Sequence, residues 1–229
     1  MNGLSVGAML ALASLAFSAI FAVRRYLNFS IGALATMGAY AGWYASSWGD
    51  LPLILLVLAS FLFAGAVGLL SEQTAIAPLQ KGGALAMAIG SLALAIILEN
   101  LIRLAFGNTS FVYPVPLERD LVVGPVHFGA QQLKNLFIVI ATMLVLWFTL
   151  AHTRFGRMVR AVAENEQLAK LRGVQPFKVK SVALFVAFGI CGVTGLLFGL
   201  DSAIDPMLGT RLLLSIFAAA VLGGLGSVP

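Results

Sequence analysis

Long runs of apolar residues follow one another along the chain, with short polar stretches between them. Each run has about the 20 residues that an α-helix needs to cross a bilayer, and each is far longer than a strand of a membrane barrel. The runs lie at about residues 3–23, 29–48, 51–70, 82–106, 133–152 and 181–200, and a seventh begins near residue 212. This pattern predicts an all-α polytopic bundle of about seven hydrophobic segments, forming one domain over residues 1–229.

The second run, at about residues 29–48, is weaker than the others. Gly32, Gly38 and Gly42 interrupt it, and only a few residues separate it from the first run. We expect a short or re-entrant helix here. Such a segment is tolerated at membrane depth only where other parts of the protein surround it.

The composition supports membrane insertion. The chain of 229 residues is 60% hydrophobic and 10% charged, with a mean hydropathy of +1.00. A soluble domain carries about 25% charged residues, which it needs to cover its surface. With so little charge, this chain requires the lipid bilayer as the solvent for most of its surface.

The basic residues predict the orientation, because cytoplasmic loops of membrane proteins are enriched in Lys and Arg. Seven of the 14 basic residues fall within residues 154–180, which places that stretch inside and the N-terminus outside. Arg24, Arg25 and Lys81 then also lie inside. The acidic residues expected outside are Asp50, Glu118, Asp120, Asp201 and Asp205. The net charge of +5 is thus a topology signal, and nothing in its distribution indicates a nucleic-acid partner.

The longest polar stretch on the inside is the loop at about residues 152–180. Its apolar positions form a narrow stripe at helical spacing, Gly173 stands where a C-cap glycine ends a helix, and Pro176 follows as a stop. The stripe consists of Val159, Val162, Ala163, Leu168, Ala169 and Leu171. The residues predict a short amphipathic helix and leave two roles open. It is a solvated loop that fixes topology, or it docks on a membrane surface or in a partner's groove.

Polar groups within the apolar runs are candidate positions for a solute pathway. Glu99 and Arg103 form an i, i+4 pair near the outer end of the fourth run, where ionisable groups are expensive and often functional. Asn28, Ser30 and Asn100 either hydrogen-bond across helices or meet the solute. Three G-x-x-x-G pairs favour close helix packing, or else leave room for a solute: Gly3/Gly7, Gly38/Gly42 and Gly195/Gly199.

The sequence of residues 153–174 resembles the cytoplasmic coupling loop of the branched-chain amino-acid ABC transporter permeases of the LivH type. Other segments are similar to the same family and occur in its order. They are Leu27-Asn28-Phe29-Ser30-x-Gly32, Gly38-Ala39-Tyr40, Pro78-Leu79, Leu98-Glu99-Asn100-Leu101, Phe106-Gly107 and the stretch from Phe217 to Ser227. The likeness covers nearly the whole chain.

The resemblance implies a multi-pass permease subunit of an ATP-driven importer in a bacterial inner membrane. Its partners would be a second permease, a periplasmic solute-binding protein and two cytoplasmic ATPase subunits that grip the coupling loop. That loop would act through Arg157, Arg160, Glu164, Ala169 and Gly173, whereas the candidate solute pathway contains Asn28, Ser30, Gly32, Glu99 and Asn100. No cofactor or metal is expected. The chain is not expected to be an enzyme, because it has no G-x-x-x-x-G-K-[ST] phosphate loop.

Two departures from the family pattern keep alternatives open. The family commonly has His-Gly-Glu where this chain has Ile31-Gly32-Ala33, and related permeases carry urea or short amides. A secondary transporter driven by an ion gradient is the other alternative. It predicts carboxylates near mid-membrane, which the centres of the runs lack.

The family also continues with further helices beyond the position of Pro229, so we expect a C-terminally shortened bundle.

Overall fold

The computed structural model describes residues 2–49, 51–113, 121–123 and 126–224, and this part of the chain is mainly helical. The helices are α1 (Asn2–Arg24), α2 (Ile31–Ser46), α3 (Leu53–Ser71), α4 (Gly83–Phe106), α5 (Ala130–His152), α6 (Arg154–Glu164), α7 (Glu166–Leu171), α8 (Pro176–Asp201) and α9 (Leu208–Gly223). Between α4 and α5, a short antiparallel hairpin is formed by β1 (Leu121–Val123) and β2 (Val126–Phe128). Its register pairs Val122 with His127.

The seven longer helices coincide with the seven apolar runs, which confirms the predicted helical membrane bundle. Four helical stretches in the described ranges are long and apolar enough to cross a membrane, and the second of them contains both α3 and α4. These stretches are Gly3–Arg24, Leu53–Phe106, Gln131–His152 and Pro176–Asp201. One predicted boundary is wrong, because Pro176 does not stop a helix but begins α8. Proline suits a first helical turn, where its missing N–H leaves no helical hydrogen bond unmade.

A π-helical turn (Glu72–Ile76) and a 3-10 turn (Ala77–Gly82) connect α3 to α4. The connection folds back along the beginning of α4, so closely that a β-carbon at Gly90 would lie 2.2 Å from Cδ1 of Leu79. This path carries the start of the connection into the bundle. Glu72, its first residue, is only 1% exposed.

Helices α8 and α2 form the centre of the bundle. Helix α8 packs against α1, α2 and α3, and α2 packs against α3, α4, α8 and α9. With 16 residues, α2 is about 24 Å long, which is less than the hydrocarbon thickness of about 30 Å. Most of its side chains are nevertheless buried by protein. The prediction of a short second helix surrounded by protein is therefore confirmed.

Glycines allow the backbones of the central helices to touch. A β-carbon at Gly38 of α2 would lie 2.3 Å from Cα of Gly192, and one at Gly195 of α8 would lie 1.7 Å from the carbonyl oxygen of Ala35. Small residues at helix crossings serve this purpose in membranes. The packing interpretation thus holds for Gly38/Gly42 and Gly195/Gly199. At Gly3 and Gly7 a β-carbon would meet no described atom within 4 Å, so the prediction is not confirmed for that pair within this chain.

Contacts between distant segments agree with the predicted orientation. Arg25 donates a hydrogen bond to the carbonyl oxygen of Ala163 in α6, so the end of α1 and the basic loop share one end of the bundle. At the other end, Phe111 pairs with Ile204 in an isolated antiparallel bridge. We call the first of these ends inner and the second outer. The acidic residues Asp50, Glu118 and Asp120, which are predicted to lie outside, are not among the described residues.

Candidate functional site

The inner loop contains two short helices and not the single one that the sequence predicts. Oγ1 of Thr153 accepts a hydrogen bond from the backbone N–H of Gly156 at the start of α6. Asn165 has an extended backbone between the helices, and its Oδ1 accepts from the N–H of Leu168 in α7 at 3.0 Å. Asparagine is among the best N-cap residues, and a cap requires a non-helical backbone. Asn165 therefore ends α6 and begins α7.

Gly173 ends α7 as predicted, in a left-handed conformation with φ of 79°. Its N–H donates to the carbonyl oxygen of Lys170, and the N–H of Val174 donates to that of Ala169, both at 3.1 Å. This pair of bonds is the Schellman arrangement, which satisfies the last carbonyls of a helix and favours glycine. The chain turns there at a defined angle back toward the membrane.

The apolar stripe of the loop divides between the interior and the surface. Val159, Val162 and Ala169 are buried and pack with Val179 of α8 and Val23 of α1 in a small core of their own. Leu168 and Leu171 of α7 are exposed, at 52% and 85%. A single helix would have placed all six stripe residues on one face, but the break at Asn165 turns α7 relative to α6. The loop is thus held by its own core and still presents leucines outward.

The five predicted coupling residues differ in their surroundings. Arg157, Glu164 and Gly173 are exposed. Arg160 is partly buried, and its Nη1 donates to the carbonyl oxygen of Leu150 at 2.9 Å. Ala169 is 3% exposed and belongs to the small core. The exposed members are therefore accessible at the surface, whereas Arg160 and Ala169 are held within the loop by their contacts.

Asn28 and Ser30, two of the predicted pathway residues, lie together in the connection between α1 and α2. Both are buried, at 2% and 1% exposed. Oδ1 of Asn28 accepts from the N–H of Ser30 at 2.9 Å and from its Oγ at 2.6 Å. The N–H of Phe29 donates to Oγ of Ser91 in α4 at 3.0 Å. These bonds fix the backbone immediately before α2.

Glu72 is the member of this region that the sequence analysis missed. Its Oε1 lies 2.8 Å from Nε of Arg24, and its Oε2 accepts from the hydroxyl of Tyr26 at 2.7 Å. Nδ2 of Asn28 donates to the same hydroxyl at 3.0 Å. Burial, reinforced by the Glu72 carboxylate, raises the pKa of Tyr26, so the phenol keeps its proton and donates. The sequence offers one indication of this contact: Arg24 and Glu72 carry opposite charges and follow the first and third apolar runs.

Gly32 lies in the first turn of α2, where α2 meets α9. A β-carbon at Gly32 would lie 2.5 Å from the carbonyl oxygen of Gly209. The N–H of Gly209 donates to Oγ1 of Thr36 at 2.9 Å, which joins the two helices by a hydrogen bond as well. Gly32 is therefore a packing position in this structure.

Glu99 pairs with Arg103 as predicted, with 2.5 Å between Oε1 and Nη2. Its other oxygen accepts from the hydroxyl of Thr210 in α9 at 3.0 Å. Asn100 is exposed, and its Nδ2 donates to the carbonyl oxygen of Ile96 in its own helix at 2.8 Å. The five predicted pathway residues therefore do not form one site. They separate into the α1–α2 connection, the α2–α9 contact and the outer part of α4.

A cleft of about 650 Å³ opens between α2, α3 and α4, and none of the predicted pathway residues lines it. Its walls are apolar and aromatic, with Tyr40, Tyr44, Phe63 and Phe106 among them. Among the described residues, no group of three or more His, Cys, Asp or Glu side chains is placed to hold a metal ion.

Comparison with known proteins places this geometry in a family. The model of the branched-chain amino acid transport system / permease component family matches residues 1–229. The high-affinity branched-chain amino acid transport system permease protein BraD of Pseudomonas aeruginosa is 26% identical over 100% of this chain and 79% of its own length. The corresponding protein LivH of Escherichia coli is 27% identical with the same coverage. No solved structure matches the chain.

Similarity also extends to permeases that match a smaller share of the chain. The probable branched-chain amino acid transport permease protein LivH of Methanocaldococcus jannaschii is 28% identical over 95% of this chain and 70% of its own length. The ribose import permease protein RbsC of Escherichia coli is 35% identical, but only over 35% of this chain. The BraD and LivH matches thus cover all or nearly all of the chain, whereas the ribose permease shares one part only.

Proposed function

Because the chain belongs to the branched-chain amino acid transport system permease family, we propose that it is the membrane-spanning subunit of an ATP-driven importer of branched-chain amino acids. It would work in a bacterial inner membrane beside a second permease. A periplasmic binding protein would deliver the solute, and cytoplasmic ATPase subunits would supply the energy. The family match over the whole chain carries this proposal.

The inner loop supports coupling to a separate ATPase. The sequence carries no phosphate-binding loop, so ATP turnover requires another chain. Helix α7 is anchored at both ends by the Asn165 cap and the Gly173 turn, and it presents Leu168 and Leu171 to the surface. A short ordered helix with exposed leucines suits insertion into a partner's groove. Arg157 and Glu164 of α6 are exposed as well and offer charged groups to a partner of the same loop.

The outer end supports a zwitterionic solute. Glu99 and Arg103 place a carboxylate and a guanidinium side by side, with the hydroxyl of Thr210 next to them. An amino acid carries one ammonium and one carboxylate. Its ammonium can pair with Glu99 and its carboxylate with Arg103, so no charge is left without a partner when the two side chains separate. Urea and short amides carry no charge to match. BraD and LivH, which both match the whole chain, are also branched-chain amino acid permeases, which favours amino acids over the amide alternative.

A gradient-driven mechanism has less support. It requires carboxylates in the membrane that gain and lose a proton or an ion. Glu72 is a buried carboxylate, but Arg24 lies against one oxygen and Tyr26 donates to the other. Its charge is therefore already matched, and its bonds serve to hold the α1–α2 connection.

Substitutions in the inner loop test the ATPase coupling. Proline at Gly173 is incompatible with φ of 79° and removes the N–H that donates to Lys170, so Gly173→Pro should misdirect α7. Reversing the exposed charge in Glu164→Arg should disturb the docking surface without affecting the bundle. We expect ATP-dependent uptake by the reconstituted importer to fall by about ten-fold in either variant, within the usual range of coupling energies.

The control is Lys81→Glu, which reverses an exposed charge at the same end of the bundle but outside the loop. All three variants should insert in the membrane at wild-type levels, because none alters an apolar run. Wild-type uptake and solute-stimulated ATP hydrolysis in both loop variants would contradict a coupling role for this segment.

A further inference from the structure

A strained residue stands at the end of α1. Arg25 has φ of 56°, and no other non-glycine residue in the described ranges has a positive φ. Its N–H donates to the carbonyl oxygen of Phe21 at 2.7 Å, which completes the last turn of the helix. Glycine is the usual residue at such a position, because a β-carbon is disfavoured in the left-handed region. The arginine side chain must therefore be needed for another reason, since strained residues concentrate where structure serves function.

The Arg25 side chain reaches across to the inner loop. Its Nη2 donates to the carbonyl oxygen of Ala163, in the last turn of α6, at 2.8 Å. Nearby, Val23 packs into the small core that contains Val159 and Val162 of α6. Helix α6 is thus attached to the end of α1 by a charge-assisted hydrogen bond and by apolar packing.

The segment that contains Arg25 is also held by a second set of contacts, which do not involve α6. We call residues 24–30 the elbow. Glu72 holds it through Arg24 and Tyr26, and Tyr26 in turn accepts from Asn28. Asn28 fixes Ser30, the residue directly before α2. Buried networks in which the members satisfy one another are rigid, because breaking one bond exposes several groups. A displacement of Arg25 is therefore passed to the first turn of α2.

The first turn of α2 is joined to α9 and, through it, to the outer charges. Gly32 touches Gly209, and the N–H of Gly209 donates to Oγ1 of Thr36. The hydroxyl of Thr210, which follows Gly209 in α9, donates to Glu99. Packed cores respond to small shifts by changing arrangement as units. A continuous series of contacts thus runs from α6 through the elbow and α2 to the pair of Glu99 and Arg103.

We propose that the elbow is a positioning element that passes movement of α6 to α2, with Arg25 as its contact on α6. The proposal rests on the function proposed above, in which ATPase subunits move the inner loop. In it, Arg25 contacts neither ATP nor solute. It keeps the inner loop and the start of α2 in a fixed relation, so that ATP turnover and solute movement occur together.

The test uses the reconstituted importer, containing this chain, its partner permease, the ATPase subunits and the binding protein. The quantity measured is leucine transported per ATP hydrolysed. In Arg25→Gly the new residue adopts a positive φ freely, so only the side-chain contact is lost. We expect ATP hydrolysis stimulated by the loaded binding protein to persist. Leucine per ATP should fall by about five-fold or more, as expected when two sites lose their coupling.

Two further variants distinguish positioning from mere stability. Arg25→Lys keeps a cationic donor on a slightly shorter side chain and should recover much of the leucine per ATP. Lys81→Ala removes a positive charge from an exposed site at the same end and should match the wild type. An Arg25→Gly variant that loses protein or ATP hydrolysis in proportion to uptake, with an unchanged ratio, would overturn the role of the elbow.

The same experiment separates this inference from the function on which it rests. If the wild-type complex transports leucine at the expense of ATP and Arg25→Gly has the wild-type ratio, only the elbow proposal fails. If the wild-type chain shows no ATP-driven transport with any ATPase subunit, both proposals fail.

Discussion

Gly195→Ala is expected to push the two central helices apart and to destabilise the folded protein. The added methyl carbon would lie 1.7 Å from the carbonyl oxygen of Ala35 and 2.4 Å from its carbon. Both are backbone atoms, so no side-chain rotation relieves the overlap and α2 must move away from α8. Overpacking a core costs about 1–3 kcal/mol and occasionally more. We expect a value at the upper end, seen as a fall in Tm on the order of 10 °C in detergent.

Gly7→Ala is the matched control, because Gly7 lies in α1 and a β-carbon there would meet no described atom within 4 Å. Alanine is also the better helix former, so this variant should be as stable as the wild type or slightly more stable. A Gly195→Ala protein with the wild-type Tm and size-exclusion profile would show that α2 and α8 do not cross where the structure places them.

Glu72→Ala should destabilise the protein by about 3–5 kcal/mol, the usual cost of removing one partner from a buried ion pair. Arg24, whose side chain is 15% exposed, would lose its counter-charge, and the hydroxyl of Tyr26 would lose its acceptor. The connection between α1 and α2 would then lack the group that holds both residues. Thermal unfolding in detergent measures the loss.

Two variants show whether the effect comes from the unpaired charge. Arg211→Ala breaks the pair with Asp205 at a side chain that is 61% exposed, and should cost less than about 1 kcal/mol. Arg24→Met combined with Glu72→Met removes both buried charges and should recover most of the stability that Glu72→Ala loses. A double variant as unstable as Glu72→Ala would indicate that packing, and not charge, accounts for the loss.

Much of the fold follows from the sequence because the membrane imposes a simple rule. Apolar runs of helix-spanning length predict the seven long helices, and basic residues predict which ends lie together, as the contact of Arg25 with Ala163 confirms. Gly173 ends α7 because a left-handed turn there requires glycine. The pair of Glu99 and Arg103 follows from i, i+4 spacing alone.

Other features depend on contacts between segments far apart in the sequence. Glu72 is buried beside Arg24 only because the connection after α3 folds back into the bundle, which hydrophobicity does not reveal. Asn165 divides the inner loop into two helices through a side-chain cap. The spacing of the apolar residues fits a single helix and therefore does not predict this break. Asn28 and Asn100 carry the same side chain but have different surroundings, because Asn28 belongs to the buried elbow and Asn100 faces outward.

The positions of the polar groups suggest how a bundle with so few charges performs transport. The inner loop, the elbow and the outer pair of Glu99 and Arg103 lie at different heights and are joined through α2. Helix α2 is short, buried and held at glycine contacts. At Gly32 and Gly38 its neighbours present backbone atoms, so movement of α2 along these contacts requires no large rotamer change. It is therefore the element whose movement would link the two ends.

Uptake of radiolabelled leucine by the complex purified through this chain and reconstituted in proteoliposomes decides whether the protein is an ATP-driven importer. We expect uptake that requires ATP on the side of the inner loop and the loaded binding protein on the other side. It should persist when a protonophore collapses the proton gradient, and valine and isoleucine should compete whereas urea and acetamide should not. Uptake that follows an imposed ion gradient without ATP, or that urea inhibits and valine does not, would contradict this function.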